Sequence, residues 1–187
     1  MPQDRTRKIV VAGILGAISI FLGITKWGFL PWITGTSITI MTVPVVIGAV
    51  LEGPIVGLAI GLIFGVFSVI QAAVAPNGPG DVIFTNPLIS VLPRLFIGPV
   101  AWLVWRALQR WQVPGLIAAG AAGALTNTVL VLGILGVIGA YPWALIFSVF
   151  VGNGLPEAVI CALLVLLVVA AYKQIQIGRK KGANLSS

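Results

Sequence analysis

Six long runs of apolar residues, separated by short segments rich in glycine, proline or charge, constrain the fold of this chain more than any other feature. Only 8% of the 187 residues are charged, and 59% are hydrophobic. A soluble domain is about a quarter charged, so this composition excludes a soluble fold, and its richness in Leu, Ile and Val excludes disorder. A membrane-spanning helix needs about 20 apolar residues, so the length accommodates about six spans.

We therefore predict an all-α integral membrane protein, a compact bundle of six transmembrane helices that forms a single membrane domain over residues 1–187. The predicted spans lie at about 8–24, 38–51, 54–74, 84–108, 114–138 and 143–172. With a cytoplasmic N-terminus, nine Lys and Arg residues fall on the cytoplasmic side, Lys26 falls outside and Arg94 lies within a span. The positive-inside rule then predicts that both termini are cytoplasmic. The basic residues cluster at the ends of apolar runs, so membrane topology explains the net charge of +7; the lipid bilayer is an expected partner, and nucleic acid is not.

Residues that support catalysis are missing from the sequence. The chain has no His, which removes the commonest general base and metal ligand, and its lone cysteine, Cys161, lies in an apolar run. No Gly-Lys-Ser/Thr loop for nucleotide phosphates is present. We expect no catalytic residue, no metal and no cofactor, which leaves binding and transport.

Four polar residues fall at membrane depth, where burial is costly. Arg94 lies about ten residues into the fourth predicted span, about 15 Å from its outer end. A charge there costs at least about 2.5–3.5 kcal/mol, so Arg94 needs a partner or a cavity. Asn127 lies at similar depth on the fifth span, and Asn153 and Glu157 share one face of the sixth. Either Arg94 and Glu157 form an ion pair that fixes helix register, or the four residues form the floor of a ligand pocket, with Arg94 facing a carboxylate.

Three residues near the outer boundary are further candidates for ligand contact. Asn86 precedes an apolar run, where its side chain either caps a helix or meets a ligand. Trp32 and Tyr141 fall where aromatic rings anchor a protein at the lipid–water interface, and they could also stack on a ligand.

Small residues recur at helical spacing in two spans. Gly53, Gly57, Gly61 and Gly65 lie four residues apart in the third span, which favours close packing against another helix. The first span carries two interleaved pairs, Ala12 with Gly16 and Gly13 with Ala17. These pairs favour either internal packing or docking to another membrane protein.

Two sequence blocks together resemble a known family. They are PVVIGAVLEGP at 44–54 and PRLFIG at 93–98. Both resemble the substrate-binding S components of energy-coupling factor (ECF) transporters, the vitamin importers of prokaryotic cell membranes, and the pantothenate-type members most. The resemblance implies a six-helix bundle with a pocket near the outer face, closed by the segment 25–37.

The same resemblance implies partners and a ligand. The small residues of the first helix match the family's docking surface for the transmembrane coupling subunit, and two separate ABC ATPase subunits would hydrolyse ATP. The implied ligand is a small water-soluble vitamin, pantothenate first, because Arg94 suits an anion. Hydroxymethylpyrimidine and riboflavin remain open, as does a self-sufficient oligomeric transporter.

Overall fold

The computed structural model describes residues 2–31, 37–76 and 79–173, and most of them are helical. The α-helices are α1 (Pro2–Ile24), α2 (Thr42–Glu52), α3 (Pro54–Val74), α4 (Pro87–Ser90), α5 (Leu92–Leu108), α6 (Gln112–Val137), α7 (Trp143–Val149) and α8 (Leu155–Lys173). A 3-10 helix covers Pro79–Thr85, and a π-helical turn at Phe150–Gly154 joins α7 to α8. Strands β1 (Phe29–Pro31) and β2 (Ser37–Thr39) form a short antiparallel hairpin, a small exception to the all-α prediction.

Five segments of the described chain are long and apolar enough to cross a membrane. They are Arg5–Ile24, Pro54–Val74, Pro87–Leu108, Gln112–Val137 and Trp143–Lys173. Helix α2 has 11 residues and is about 17 Å long, which is short of the roughly 30 Å hydrocarbon layer. Nine of its residues are buried, so α2 is the central helix of the bundle.

Two predicted spans have different bounds in the structure. The second was expected from residue 38, but β2 pairs with β1 through Thr39, and α2 begins at Thr42. The fourth was expected to be continuous from residue 84, but it consists of the 3-10 helix, α4 and α5. Pro87 and Pro93 explain these breaks, because proline has no N–H to donate to a carbonyl one turn earlier.

The glycine row of α3 lets α5 approach closely. A Cβ at Gly57 would lie 2.9 Å from Gly98 Cα, and one at Gly65 would lie 2.8 Å from Val91 Cα. At Gly61 it would collide with the backbone carbonyl of Arg94. Gly53 does not face α5; its φ of 101° ends α2. The row therefore serves internal packing and sets the position of the Arg94 backbone.

Replacing Gly61 with Val is expected to destabilise the protein by about 1–3 kcal/mol, because α3 and α5 must separate to accommodate the side chain. Thermal unfolding followed by tryptophan fluorescence measures the effect. Gly133→Val is the matched control, since nothing lies within 4 Å of a Cβ at Gly133. Equal melting temperatures for the two variants would contradict the close packing.

Candidate functional site

Four of the predicted polar residues are buried together in the interior. Arg94, Asn127 and Asn153 are each 7% exposed, and Glu157 is 5% exposed. They come from α5, α6, the π turn and α8. We call these four residues the polar cluster.

The helix faces explain why the polar cluster lies inside the bundle. Gly120 of α6 packs against the backbone of α8, and Gly123 packs against Val46 of α2. Asn127 is one turn beyond Gly123, so it shares this inward face. On α8, Glu157 is one turn before Cys161, whose Sγ accepts a 3.8 Å hydrogen bond from Thr42 Oγ1 at the start of α2.

Arg94 is held by a carbonyl that the preceding proline leaves open. Pro93 cannot donate to the Ile89 carbonyl, and the Arg94 Nη1 donates to it instead, at 2.9 Å. The guanidinium carbon lies 5.4 Å from the centre of the Phe64 ring and 5.3 Å from that of Phe84. The Nε of Arg94 has no hydrogen-bond partner among the described residues. The side chain is thus fixed on three sides, and its Nε donor remains available.

Arg94 and Glu157 form no direct ion pair. Among the side chains that the structure describes, the ion pair at contact distance joins Arg7 and Glu52. The Glu157 carboxylate instead faces the backbone amide of Thr39 in β2, and its Oε1 has no hydrogen-bond partner in the described part of the chain. The Arg94 side chain is already engaged by Ile89, which explains why it does not reach Glu157.

The π turn is a feature that sequence analysis missed. Pro156 has no N–H for the carbonyl four residues earlier, so the regular helix is interrupted at Phe150–Gly154. Gly154 allows this turn to pack on Thr128 of α6, since a Cβ there would lie 2.9 Å from Thr128 Cγ2. The segment GNGLP at 152–156 was the available signal, because it combines two glycines with a proline inside an apolar span.

The hairpin covers the polar cluster at the end of the bundle where α2 begins; we call this end the hairpin end. Strand β2 contacts both α8 and the π turn. Met41, just below the hairpin, is fully buried against Gly28 and Gly23. Trp32 was predicted to contact ligand in this region, but it lies outside the described residues.

Two other predicted contacts lie beside the segment that holds Arg94. The Oδ1 of Asn86 accepts a 3.0 Å hydrogen bond from the backbone N–H of Leu88, so Asn86 is the N-cap of α4. Tyr141 packs on a small apolar group that includes Ile89, whose carbonyl accepts from Arg94, and Leu135. Contact of Asn86 and Tyr141 with a ligand stays a prediction.

A groove of about 510 Å³ between α5 and α6 is apolar and unrelated to the polar cluster. It is lined by Phe96, Val100, Ala122, Leu125, Thr126, Val129 and Leu130. Phe96 is two residues from Arg94 and points to about the opposite side of α5. None of the four residues of the polar cluster lines this groove.

The two small-residue pairs of α1 face different directions. Gly16 is buried, and a Cβ there would lie 2.8 Å from Ile63 Cδ1 of α3. Gly13 has nothing within 4 Å of a Cβ, and Ala17 is exposed one turn later. Ala12 is half-buried. Gly13 and Ala17 therefore form the open surface, and Gly16 faces the bundle.

A membrane bundle of this size with a buried polar cluster is suited to binding a small polar molecule. The chain belongs to the family of ECF transporter substrate-specific components, whose family model matches residues 7–169. Members of this family are transporter components of the prokaryotic plasma membrane.

Two curated relatives are consistent with this assignment. The chain is 30% identical to the pantothenate transporter PanT of Leuconostoc mesenteroides over 148 residues, which cover 74% of this chain and 72% of the relative. It is 25% identical to the pantothenic acid transporter PanT of Lactococcus lactis over 191 residues, covering 91% and 96% respectively. The family resemblance deduced from the two sequence blocks is thus confirmed.

Proposed function

We propose that this chain binds pantothenate with high affinity in the polar cluster and imports it as the S component of an ECF-type ABC transporter. The observation that carries the proposal is the set of buried polar atoms without a hydrogen-bond partner in the described chain. In the polar cluster they include Arg94 Nε, Asn127 Oδ1 and Glu157 Oε1. Each unsatisfied buried group costs about 1–3 kcal/mol, so a ligand that satisfies all three gains that free energy on binding.

The chemistry of these atoms favours a particular kind of ligand. Arg94 Nε is a charged donor, and the oxygens of Asn127 and Glu157 are acceptors. Pantothenate carries a carboxylate that accepts from Arg94, and its hydroxyl and amide groups supply donors for the two oxygens. Hydroxymethylpyrimidine and riboflavin have no carboxylate, so they offer the donor of Arg94 only neutral acceptors, which make weaker hydrogen bonds. The names of the two relatives support the same ligand.

Six crossings with both termini in the cytoplasm are proposed for the single domain. Helix α2, the second in chain order, is the crossing that brings the five long spans to six. It is shorter than they are and is packed among them. Arg7, Arg106 and Lys173 lie at the end of the bundle opposite the hairpin, whereas Lys26 lies beside the hairpin. The positive-inside rule therefore supports a cytoplasmic position for the first end and an outer position for the hairpin end.

The proposed partners are the transmembrane coupling subunit and two ABC ATPase subunits. We propose that the exposed α1 surface around Gly13 and Ala17 contacts the coupling subunit, because backbone approach is unobstructed there. Neighbouring apolar side chains on α1 are also exposed, among them Ile9, Ile14 and Phe21.

Ligand identification on the purified chain tests the proposal. Native mass spectrometry is expected to find one pantothenate per chain, and calorimetry is expected to show that the alcohol analogue pantothenol binds at least about tenfold more weakly, since it loses the charge-assisted contact. Tighter binding of hydroxymethylpyrimidine or riboflavin would contradict the choice of ligand. Uptake by the chain alone in vesicles would contradict the S-component assignment and favour a self-sufficient transporter.

A further inference from the structure

Helix α1 is the membrane helix least attached to the bundle. Only 17% of its membrane-spanning stretch is buried, against 33 to 44% for the other four long spans. Residues 5–10 are all exposed, so packing of side chains contributes little at this end of the helix. The first turns of α1 therefore need another interaction to hold them against the bundle.

An ion pair supplies that interaction. The Nη2 of Arg7 lies 2.6 Å from Oε1 of Glu52, and the two side chains are 57% and 7% exposed. Glu52 is the last residue of α2, where the helix dipole disfavours a carboxylate. Gly53, with its φ of 101°, turns the chain directly into α3, which keeps Glu52 at the corner between the two helices. Arg7 thus connects α1 to α2, the central buried helix of the bundle.

The helical geometry relates this contact to the proposed docking surface. Gly13 is six residues from Arg7, about 120° away around the helix, and Ala17 is ten residues away, about 80° away. With Arg7 held at α2, Gly13 and Ala17 therefore lie on the same side of the contact, about a quarter to a third of a turn around α1.

We infer that the Arg7–Glu52 ion pair is a positioning contact that sets the rotation of α1 and thereby presents Gly13 and Ala17 to the coupling subunit. The inference rests on the proposed docking role of α1. It assigns to Arg7 and Glu52 a part in complex assembly, although neither residue touches the ligand.

A measurement on the isolated chain tests the positioning. Spin labels at Ile9→Cys and Ile55→Cys, both exposed positions, report the distance between α1 and the start of α3 in a Cys161→Ala background. We expect a narrow distance distribution in the parent and a broad one with Arg7→Gln or Glu52→Gln. The double variant Arg7→Glu with Glu52→Arg is expected to restore the narrow distribution. Narrow distributions in both single variants would overturn the inference.

Complex assembly supplies the second readout. After co-expression with the coupling and ATPase subunits of the same genome, Arg7→Gln and Glu52→Gln are expected to lower recovery of the complex about two- to fivefold, with rescue by the charge swap. Arg5→Gln, an exposed neighbour, is the matched control and should recover as much complex as the parent. Parent-like or increased assembly of the single variants would overturn the inference. If Gly13→Leu also assembles normally, the proposed docking surface itself is wrong.

Discussion

Arg94→Ala is expected to weaken pantothenate binding by more than about 30-fold, because it removes the charged partner of a buried carboxylate, a loss worth about 2–5 kcal/mol. The Nε of Arg94 is a buried donor that has no hydrogen-bond partner in the described chain. Calorimetric titration of the purified variant measures the loss of affinity.

A structural contribution of Arg94 has to be separated from its contact with ligand. Its Nη1 also donates to the Ile89 carbonyl, so the substitution disturbs the junction between α4 and α5. Comparing pantothenate with pantothenol in both proteins cancels this disturbance, since both ligands meet the same altered site. The parent is expected to prefer the acid strongly, and the variant is expected to lose that preference. An unchanged preference would show that Arg94 serves only to hold Ile89.

Arg106→Ala is the matched control for charge. Arg106 lies in the last turn of α5 with its guanidinium carbon 5.1 Å from the centre of the Trp102 ring, and it is exposed. Affinity for pantothenate should remain within about twofold of the parent, since the residue is far from the polar cluster along the helix. A large loss of affinity in this control would show that net charge, rather than the Arg94 contact, governs binding.

Gly13→Leu is expected to abolish pantothenate uptake by the complete transporter and to leave ligand binding by the isolated chain unchanged. A leucine at this position projects from the α1 surface and prevents close approach of another helix. Uptake of labelled pantothenate into proteoliposomes containing all subunits measures transport, and calorimetry measures binding.

Two other glycines make this test specific. Gly133→Leu introduces the same side chain at another open position, on α6, and should transport normally. Gly16→Leu should instead lower stability, because Ile63 occupies the space that its side chain would need. Normal uptake with Gly13→Leu would exclude this surface as the docking site, and a joint loss of binding and uptake would indicate internal packing.

The span predictions were accurate where an apolar helix is uninterrupted. They were less accurate where a strand or a proline interrupts the helical hydrogen bonds. The third span was predicted at 54–74 with its observed bounds, since Pro54 starts an uninterrupted apolar helix. The second was placed too early, because an apolar residue such as Ile38 is as compatible with a strand as with a helix. The break before α5 depends on Pro93, whose missing hydrogen bond is compatible with a kink as well as with a new helix.

The candidate site was partly predictable for an energetic reason. Polar residues deep in an apolar span are costly, so the presence of Arg94, Asn127, Asn153 and Glu157 in the sequence was enough to indicate a common interior location. Asn86 carries no such cost near a helix start, and its role as a cap required the observed hydrogen bond. The sequence alone does not indicate which of Gly13 and Gly16 faces outward, because the orientation is set by packing against α3, which is remote from α1 in the sequence.

The π turn at Phe150–Gly154 also determines the phase of the last span. A π turn contains one residue more than the equivalent α-helical turn, which offsets everything after it by about 100° relative to everything before it. The part of the span before the turn, with Trp143 exposed, and the part after it, with Glu157 buried, therefore follow two different helical phases. The same span can thus face lipid along its first turns and place polar side chains in the interior along its later turns. A single-residue deletion in 150–154 would rotate Glu157 away from the other polar residues.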